Sequence, residues 1–439
     1  MEYFLSFVKK LIPSSLFRVL QGPYHYALAF LAHVLYGMPS RKMYVIGVTG
    51  TKGKTTTCHL MTQLLELLGK NVGMTSSVQF RFGGKGKLGM RVNDTKQGMP
   101  GRFRLQKLLR EMAKNGCEYA VIETTSEGML QYRHQFIDYD MAVFTNLSPE
   151  HIERHGGFLK YRDTKVGLFR KVARKKNGIG VYNLDDENVE HFLTPNVAKK
   201  IGFSLQDSRL KIKDSGVGAT YLVSHVVLTD AWSEFDVNDV CFKIPLIGEF
   251  NVYNAVAAIA AVSALGFSLE EIAVIARNLH SVVGRCEVIK VALPRQSAGQ
   301  GDNNGFTIII DYAHEPKSLE AIYKAAKLFL RDPSPSRGSG SGRPGCGRLV
   351  CLLGAQGGGR DKWKRPEMGK IAARYCDEIV LTNEDPYDEP PLEIIEGVER
   401  GILEDSRLKI KDSRIYKIVD RKEAIKKAIS LAKPGDVVV

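Results

Sequence analysis

The chain has 439 residues, with 62 Lys and Arg against 48 Asp and Glu, 44% hydrophobic content and 25% charged content. That composition excludes a disordered or fibrous chain and leaves room for about two or three domains, each with its own core. The seven cysteines (58, 117, 241, 286, 346, 351 and 376) form no CxxC pair, which argues against a disulfide framework or zinc ribbon and for a reducing cytoplasm. A net charge of +14 suits anionic ligands such as nucleotides. No nucleic-acid signature with interleaved aromatics accompanies it, so nucleic acid is not an expected partner.

Residues 1–40 mix apolar and basic groups. Phe4, Leu5, Phe7 and Val8 precede Lys9-Lys10, and residues 24–38 form a second apolar segment interrupted by His25 and His33. Neither reaches the ~20 apolar residues that span a bilayer, and no cleavage site follows an apolar core. Two short helices packed on the next domain are expected, with a peripheral membrane contact as the alternative and no transmembrane segment.

From 41 to 283 strands alternate with helices. Strand candidates 44–48, 119–123, 141–145 and 178–183 predict a parallel sheet covered on both faces, with its ligand beyond the carboxyl ends of the strands. The first strand breaks into Gly50-Thr51-Lys52-Gly53-Lys54-Thr55-Thr56 and then an amphipathic segment, residues 58–68. Glycines 50 and 53 free backbone N–H groups to face a polyphosphate, and the helix presents its positive end. Lys54 reaches the outer phosphates while Thr55 offers a hydroxyl to Mg²⁺. These residues read as an ATP site, although Val48 stands where the commoner GxxxxGK[ST] spacing has glycine. Glu123 and Asn146 fall at strand ends beside this loop.

Residues 204–240 read as an antiparallel insertion. It contains the nine residues 207–215, repeated at 405–413, which are expected as exposed strand or loop without chemistry. After a helix at 254–264 a boundary is expected at 283–284, giving domains 1–40, 41–283 and 284–439. The last alternates again: strand 306–310, helix 318–330, strand 349–353, helix 368–375, strand 378–382. Residues 332–348, rich in Ser, Gly, Pro and Arg, predict a mobile loop. The fold class expected is α/β, a phosphate-loop ATPase domain with a parallel sheet plus a C-terminal Rossmann-like domain.

The variant T-G-T-x-G-K-T-T resembles the loop of the Mur ligases, ATP-dependent enzymes that add amino acids to peptidoglycan precursors. Three later groups are similar to the same family: the stretch from Phe144-Thr145-Asn146 through His151 to Lys165; Gly248-Glu249-Phe250-Asn251 with Asn254, Gly284-Arg285 and Asp311-Tyr312-Ala313-His314; and residues 354–366 with 382–387. The resemblance implies that Lys165 carries CO₂ as a carbamate and, with Thr55, Glu123 and His151, holds Mg²⁺. It also implies nucleotide contacts from Asn251, Asn254, Arg285, Asp311 and His314.

In the branch that adds the third residue of the stem peptide, a stretch E-x-S-S-H-x-x-x-Q-x-R matches the run from Glu123 to Arg133. Thr125, Ser126, Gln131 and Arg133 are thereby expected on the nucleotide-sugar peptide, although Glu127 replaces the histidine. Arg360 matches an arginine that binds the incoming amino acid. Tyr387 replaces the arginine of the family's D-N-P-R, and Glu384 and Asp385 beside it suit a cationic side chain such as lysine or ornithine.

The family's uridine-binding domain is expected to be reduced here to short helices. Its G-K-G-H-E segment would follow Pro434-Gly435-Asp436, so the last domain is expected to be cut short. By this resemblance the chain is a cytoplasmic, monomeric, ADP-forming ligase acting on UDP-N-acetylmuramoyl-L-alanyl-D-glutamate. A folate polyglutamate synthase, a lipid II amidating ligase and an inactive nucleotide-binding scaffold stand as alternatives.

Overall fold

The structure, a computed structural model, describes residues 14–84, 89–150, 155–206, 216–292, 305–330, 347–358, 362–404 and 414–439. Its larger sheet is built from β1 (Tyr44–Thr49), β2 (Val72–Thr75), β3 (Gln79–Phe82), β4 (Met90–Val92), β5 (Tyr119–Glu123), β6 (Met141–Phe144), β7 (Ile179–Asn183), β8 (Lys199–Ser204), β9 (Ala219–Leu228), β10 (Ser233–Val237) and β11 (Val240–Ile244). These lie in the order β11-β10-β9-β8-β7-β6-β1-β5-β2-β3-β4. The strands from β9 to β2 in that order run parallel, and antiparallel pairs finish both edges.

β1 is central because both its faces are apolar. Successive side chains of a strand point to opposite faces, so Ile46 and Val48 join the core under the helices Lys54–Leu67 and Glu249–Ser263. Val45 joins the core on the other side, with the helices Arg102–Lys114 and Phe158–Val172. The helix Glu249–Ser263 is buried all round from Asn254 to Val262, as its uninterrupted apolar run requires.

The second sheet contains β12 (Glu287–Ala292), β13 (Gly305–Ile310), β14 (Leu349–Ala355), β15 (Glu378–Asn383), β16 (Ile415–Lys417) and β17 (Val437–Val438) in the order β12-β13-β17-β14-β15-β16. Only β12 is antiparallel to its neighbour. Over this sheet the helices Lys364–Tyr375 and Pro391–Glu404 meet through glycines. A Cβ on Gly369 would strike the Val398 carbonyl, and one on Gly401 the Pro366 carbonyl. Gly369→Ala is therefore expected to destabilise this unit by about 1–3 kcal/mol, read as a fall in the thermal midpoint; an unchanged midpoint would show that the helices part freely.

Two expectations need correction. Residues 1–13 lie outside the described residues, and the described part of the N-terminal segment is a single helix, Ser14–Leu35, 22 residues long and continuous through Pro23 where a short one is expected. Its tertiary contacts override the breaker, because Ala29, Ala32 and His33 are buried and His33 stacks on Phe136. Cysteines 351 and 376 are joined as a disulfide, where their scattered spacing predicted none. β14 and the end of the helix Lys364–Tyr375 bring their Cα atoms to 6.0 Å, a tertiary proximity that a separation of 25 residues does not reveal. The two nine-residue repeats, His151, Arg360 and nearly all of the expected mobile loop lie outside the described residues. Among the described residues, no helix is long and apolar enough to cross a membrane.

Candidate active site

The carboxyl ends of β1, β5, β6 and β7 open into a cavity of about 810 Å³ that the second sheet's loops close from the far side. Gly50, at φ 153°, and Gly53, at φ 82°, shape the loop after β1. A Cβ on Gly50 would collide with the Thr145 hydroxyl, and one on Gly53 with Asn254 Oδ1, so both positions need glycine. Asn146 fixes the loop from β6: its Oδ1 accepts from Lys52 N at 2.9 Å and its Nδ2 donates to Lys52 O at 3.0 Å.

Lys54 opens the helix Lys54–Leu67 and folds back over the loop, donating to Gly50 O at 3.0 Å and Thr51 O at 2.7 Å. Burial pulls its pKa down, while Glu123 and Glu150 oppose that shift. Thr55, in the same first turn, donates to Glu123 Oε2 at 3.1 Å. The same carboxylate oxygen accepts from Ser77 N at 2.7 Å. Glu123 is 4% exposed at the end of β5, surrounded by hydroxyl and N–H groups.

Lys165 comes from the helix Phe158–Val172 and is 1% exposed. Its ammonium donates to Gly50 O at 2.6 Å and lies 4.6 Å above the Tyr161 ring. Burial, and next the nearby Lys54, drive its pKa well below the ordinary lysine value, against the pull of Glu150 and Glu123. Tyr161 and Thr51 share a hydroxyl hydrogen bond at 2.9 Å. Tyr161 and Ser77 are not singled out from the sequence: Tyr161 carries a signal, one helical turn before Lys165, whereas Ser77, whose N–H donates to Glu123 and whose hydroxyl meets the Thr55 hydroxyl at 3.0 Å, carries none.

Asn251, Asn254, Arg285, Asp311 and His314 all line this cavity. The two asparagines sit at the phosphate-loop end, Asn254 Nδ2 donating to Asn251 Oδ1 at 3.2 Å. Arg285 lies 4.6 Å over the Tyr312 ring, and Asp311 accepts from Cys286 N at 2.7 Å. Burial raises the Asp311 pKa, with Arg285 the main opposing charge. His314 Nε2 approaches Lys52 Nζ at 3.2 Å and Glu150 Oε1 at 3.1 Å. Lys52 itself pairs with Glu150 at 3.0 Å, and Lys364 pairs with the neighbouring Glu315. This ionic group ties the two sheets together.

On another wall stand Thr125, Ser126 and Arg133. Thr125 caps the helix Ser126–Leu130 by accepting from Gly128 N. Gln131 is not a lining residue; its Oε1 accepts from Arg133 Nε at 3.2 Å and Nη2 at 2.7 Å, fixing the guanidinium. Asp385 is exposed and also outside the lining, its carbonyl accepting from Gly357 N at 2.9 Å. Glu384 is half-buried, and burial raises its pKa against the charges of His314, Arg421 and Lys52. Its side chain, like that of Asp385, lies outside the cavity lining.

A phosphate loop on one α/β unit, completed by groups from a second, defines a nucleotide-dependent enzyme. The comparisons narrow the class. The Mur ligase middle domain matches residues 48–262, and the Mur ligase glutamate ligase domain matches 295–439. The UDP-N-acetylmuramoyl-L-alanyl-D-glutamate--2,6-diaminopimelate ligase of Geobacillus thermodenitrificans is 32% identical over 421 residues, 94% of this chain and 76% of that protein. The UDP-N-acetylmuramyl-tripeptide synthetase of a Roseiflexus species is 33% identical over 425 residues, with the same coverage. A solved UDP-N-acetylmuramoyl-L-alanyl-D-glutamate--2,6-diaminopimelate ligase superposes with a TM-score of 0.57 at 27% identity, over 90% of this chain and 72% of that one. The chain belongs to the Mur ligase family.

Proposed function

We propose that this protein is an ATP-dependent, ADP-forming amide ligase that joins an amino acid to UDP-N-acetylmuramoyl-L-alanyl-D-glutamate. The observation that carries the reading is the meeting of Lys54, Thr55, Glu123 and Lys165 around one phosphate loop. A carboxylate oxygen of the dipeptide attacks the γ-phosphorus of ATP, the bond to ADP breaks, and an acyl phosphate forms. The incoming amine then attacks the acyl carbon, phosphate leaves with the bonding pair, and the amine's proton passes to solvent.

Lys54 and Arg285 neutralise charge on the transferring group, where positioning and electrostatics supply most of the catalysis. The Thr55 hydroxyl and Glu123 carboxylate are the hard oxygens Mg²⁺ favours, so the residues fit the ion. Thr55 would serve one such ion, and Glu123, Lys165 as a carbamate and His151 a second. When bound, the ion supplies further neutralisation of phosphate charge. The depressed Lys165 pKa supports the carbamate, because only a neutral amine adds to CO₂. Asn251, Asn254, Asp311 and His314 are assigned to the nucleotide. Closure of the second sheet excludes the water that would hydrolyse the acyl phosphate. A monomer acting in the cytoplasm belongs to the same proposal.

Arg133, with Thr125 and Ser126, is assigned to the sugar peptide's carboxylate or phosphate. Arg133→Ala is expected to raise KM for that substrate roughly tenfold or more with a smaller change in kcat. Equal falls in both constants at saturation would place Arg133 elsewhere. For the amino acid, the absence of an arginine at Tyr387 and the half-buried Glu384 favour a cationic side chain. Phosphate release with UDP-N-acetylmuramoyl-dipeptide and lysine, ornithine or diaminopimelate tests the whole reading; no release with any of them would leave a nucleotide-binding scaffold. Glu384→Gln is expected to raise KM for lysine or ornithine about tenfold, and unchanged KM would remove Glu384 from specificity.

A further inference from the structure

We infer that the N-terminal helix Ser14–Leu35 is a peripheral docking surface for an acidic lipid bilayer. The site chemistry makes no use of this helix, yet its outer face is apolar. Phe30 is 53% exposed, Leu31 48% and Leu35 59%, with Tyr26 and Val34 close behind. Positions 26, 30 and 34 form one row along a helix and 31 and 35 the next, so the exposed groups make a single stripe. No Asp, Glu, Lys or Arg occurs between Arg18 and Arg41. A stripe of this kind on a water-facing helix marks an interaction surface.

The charge around the stripe selects the occupant. The helix packs beside Arg102–Lys114, and Arg110 Nη1 donates to Leu35 O at 3.2 Å. Lys107, Arg110 and Lys114 are exposed on that neighbour, and Arg41 and Lys42 are exposed where the chain leaves the stripe. The nearest acid on the same neighbour, Glu111, is already paired with Arg91. Apolar groups flanked by cations match the interface of a bilayer bearing anionic headgroups. The helix is not apolar enough to cross, so it lies in the plane of the interface. At the edge of the stripe Tyr26 meets Tyr132 at 6.0 Å between rings. The membrane would therefore lie next to the Arg133 wall of the cavity.

The test is flotation of the full chain with vesicles of phosphatidylcholine alone and with about 30% phosphatidylglycerol. Wild type is expected to float with the acidic vesicles only, and to be released at about 0.5 M salt. Phe30→Asp with Leu31→Asp is expected to lower the bound fraction at least about tenfold, and Lys107→Glu with Lys114→Glu several-fold, with phosphate release in solution unchanged. Failure of wild type to float, or flotation unaffected by the paired aspartates, would overturn the proposal. So would a dimer that the aspartates dissociate, which would make a second copy the occupant. Should the aspartate variant not fold, the wild-type and lysine-variant arms decide alone.

Discussion

Replacing Lys54 with methionine is expected to lower kcat by about 10²–10³-fold, about 3–4 kcal/mol of lost stabilisation of the transferring phosphoryl group. Methionine keeps most of the side-chain volume in the loop, and the ammonium's two hydrogen bonds to Gly50 O and Thr51 O are lost. Bonds of this charged kind are each worth about 1.5–3 kcal/mol to folding, less than the stability of a typical domain. The loop should therefore persist while the chemistry fails. Stopped-time phosphate release at saturating ATP, with the thermal midpoint alongside, separates the two. Activity within a few-fold of wild type would remove Lys54 from the reaction.

Lys165 gives the second large effect. Lys165→Ala is expected to lower turnover by about 10²-fold or more, because the loop loses a buried group bonded to Gly50 O and, on the proposed reading, the ion site loses a ligand. The sign with pH follows from its depressed pKa. At high pH the amine is neutral and, on the proposed reading, able to add CO₂; as pH falls toward the depressed value it takes a proton, and activity is expected to decline with the carbamate. Folding carries the same sign without substrate. Between the depressed folded pKa and the ordinary unfolded value near ~10.4, the unfolded chain binds more protons, so stability rises with pH across that window. Thermal midpoints of CO₂-free wild type against Lys165→Met should diverge as pH is lowered, wild type falling further. Parallel curves, together with an acid limb insensitive to added bicarbonate, would refute a neutral, CO₂-reactive Lys165.

Much of this architecture was legible where the information is local. The Gly50–Thr56 loop needs glycines at fixed offsets between an apolar strand and a helix, and β1, β5, β6 and β7 are short apolar runs buried on both faces. β3 and β4 escaped notice because their form depends on pairing: β4 is exposed at all three residues, and only its ladder to β3 defines it. The cavity's buried carboxylate was legible as a strand-end acid, Glu123. The Ser77 amide that supports it was not, since a backbone N–H leaves no trace in residue type. Distance along the chain hid the rest. Glu150 and His314, 164 positions apart, meet only once both sheets are built.

That meeting has a mechanical consequence. Lys52 belongs to the loop that faces the nucleotide, yet its ammonium is held by Glu150 and by His314 from the other sheet. Were an incoming polyphosphate to draw Lys52 toward itself, the bond between Glu150 and His314 would still join the two sheets, so the loop could take its load without the halves parting.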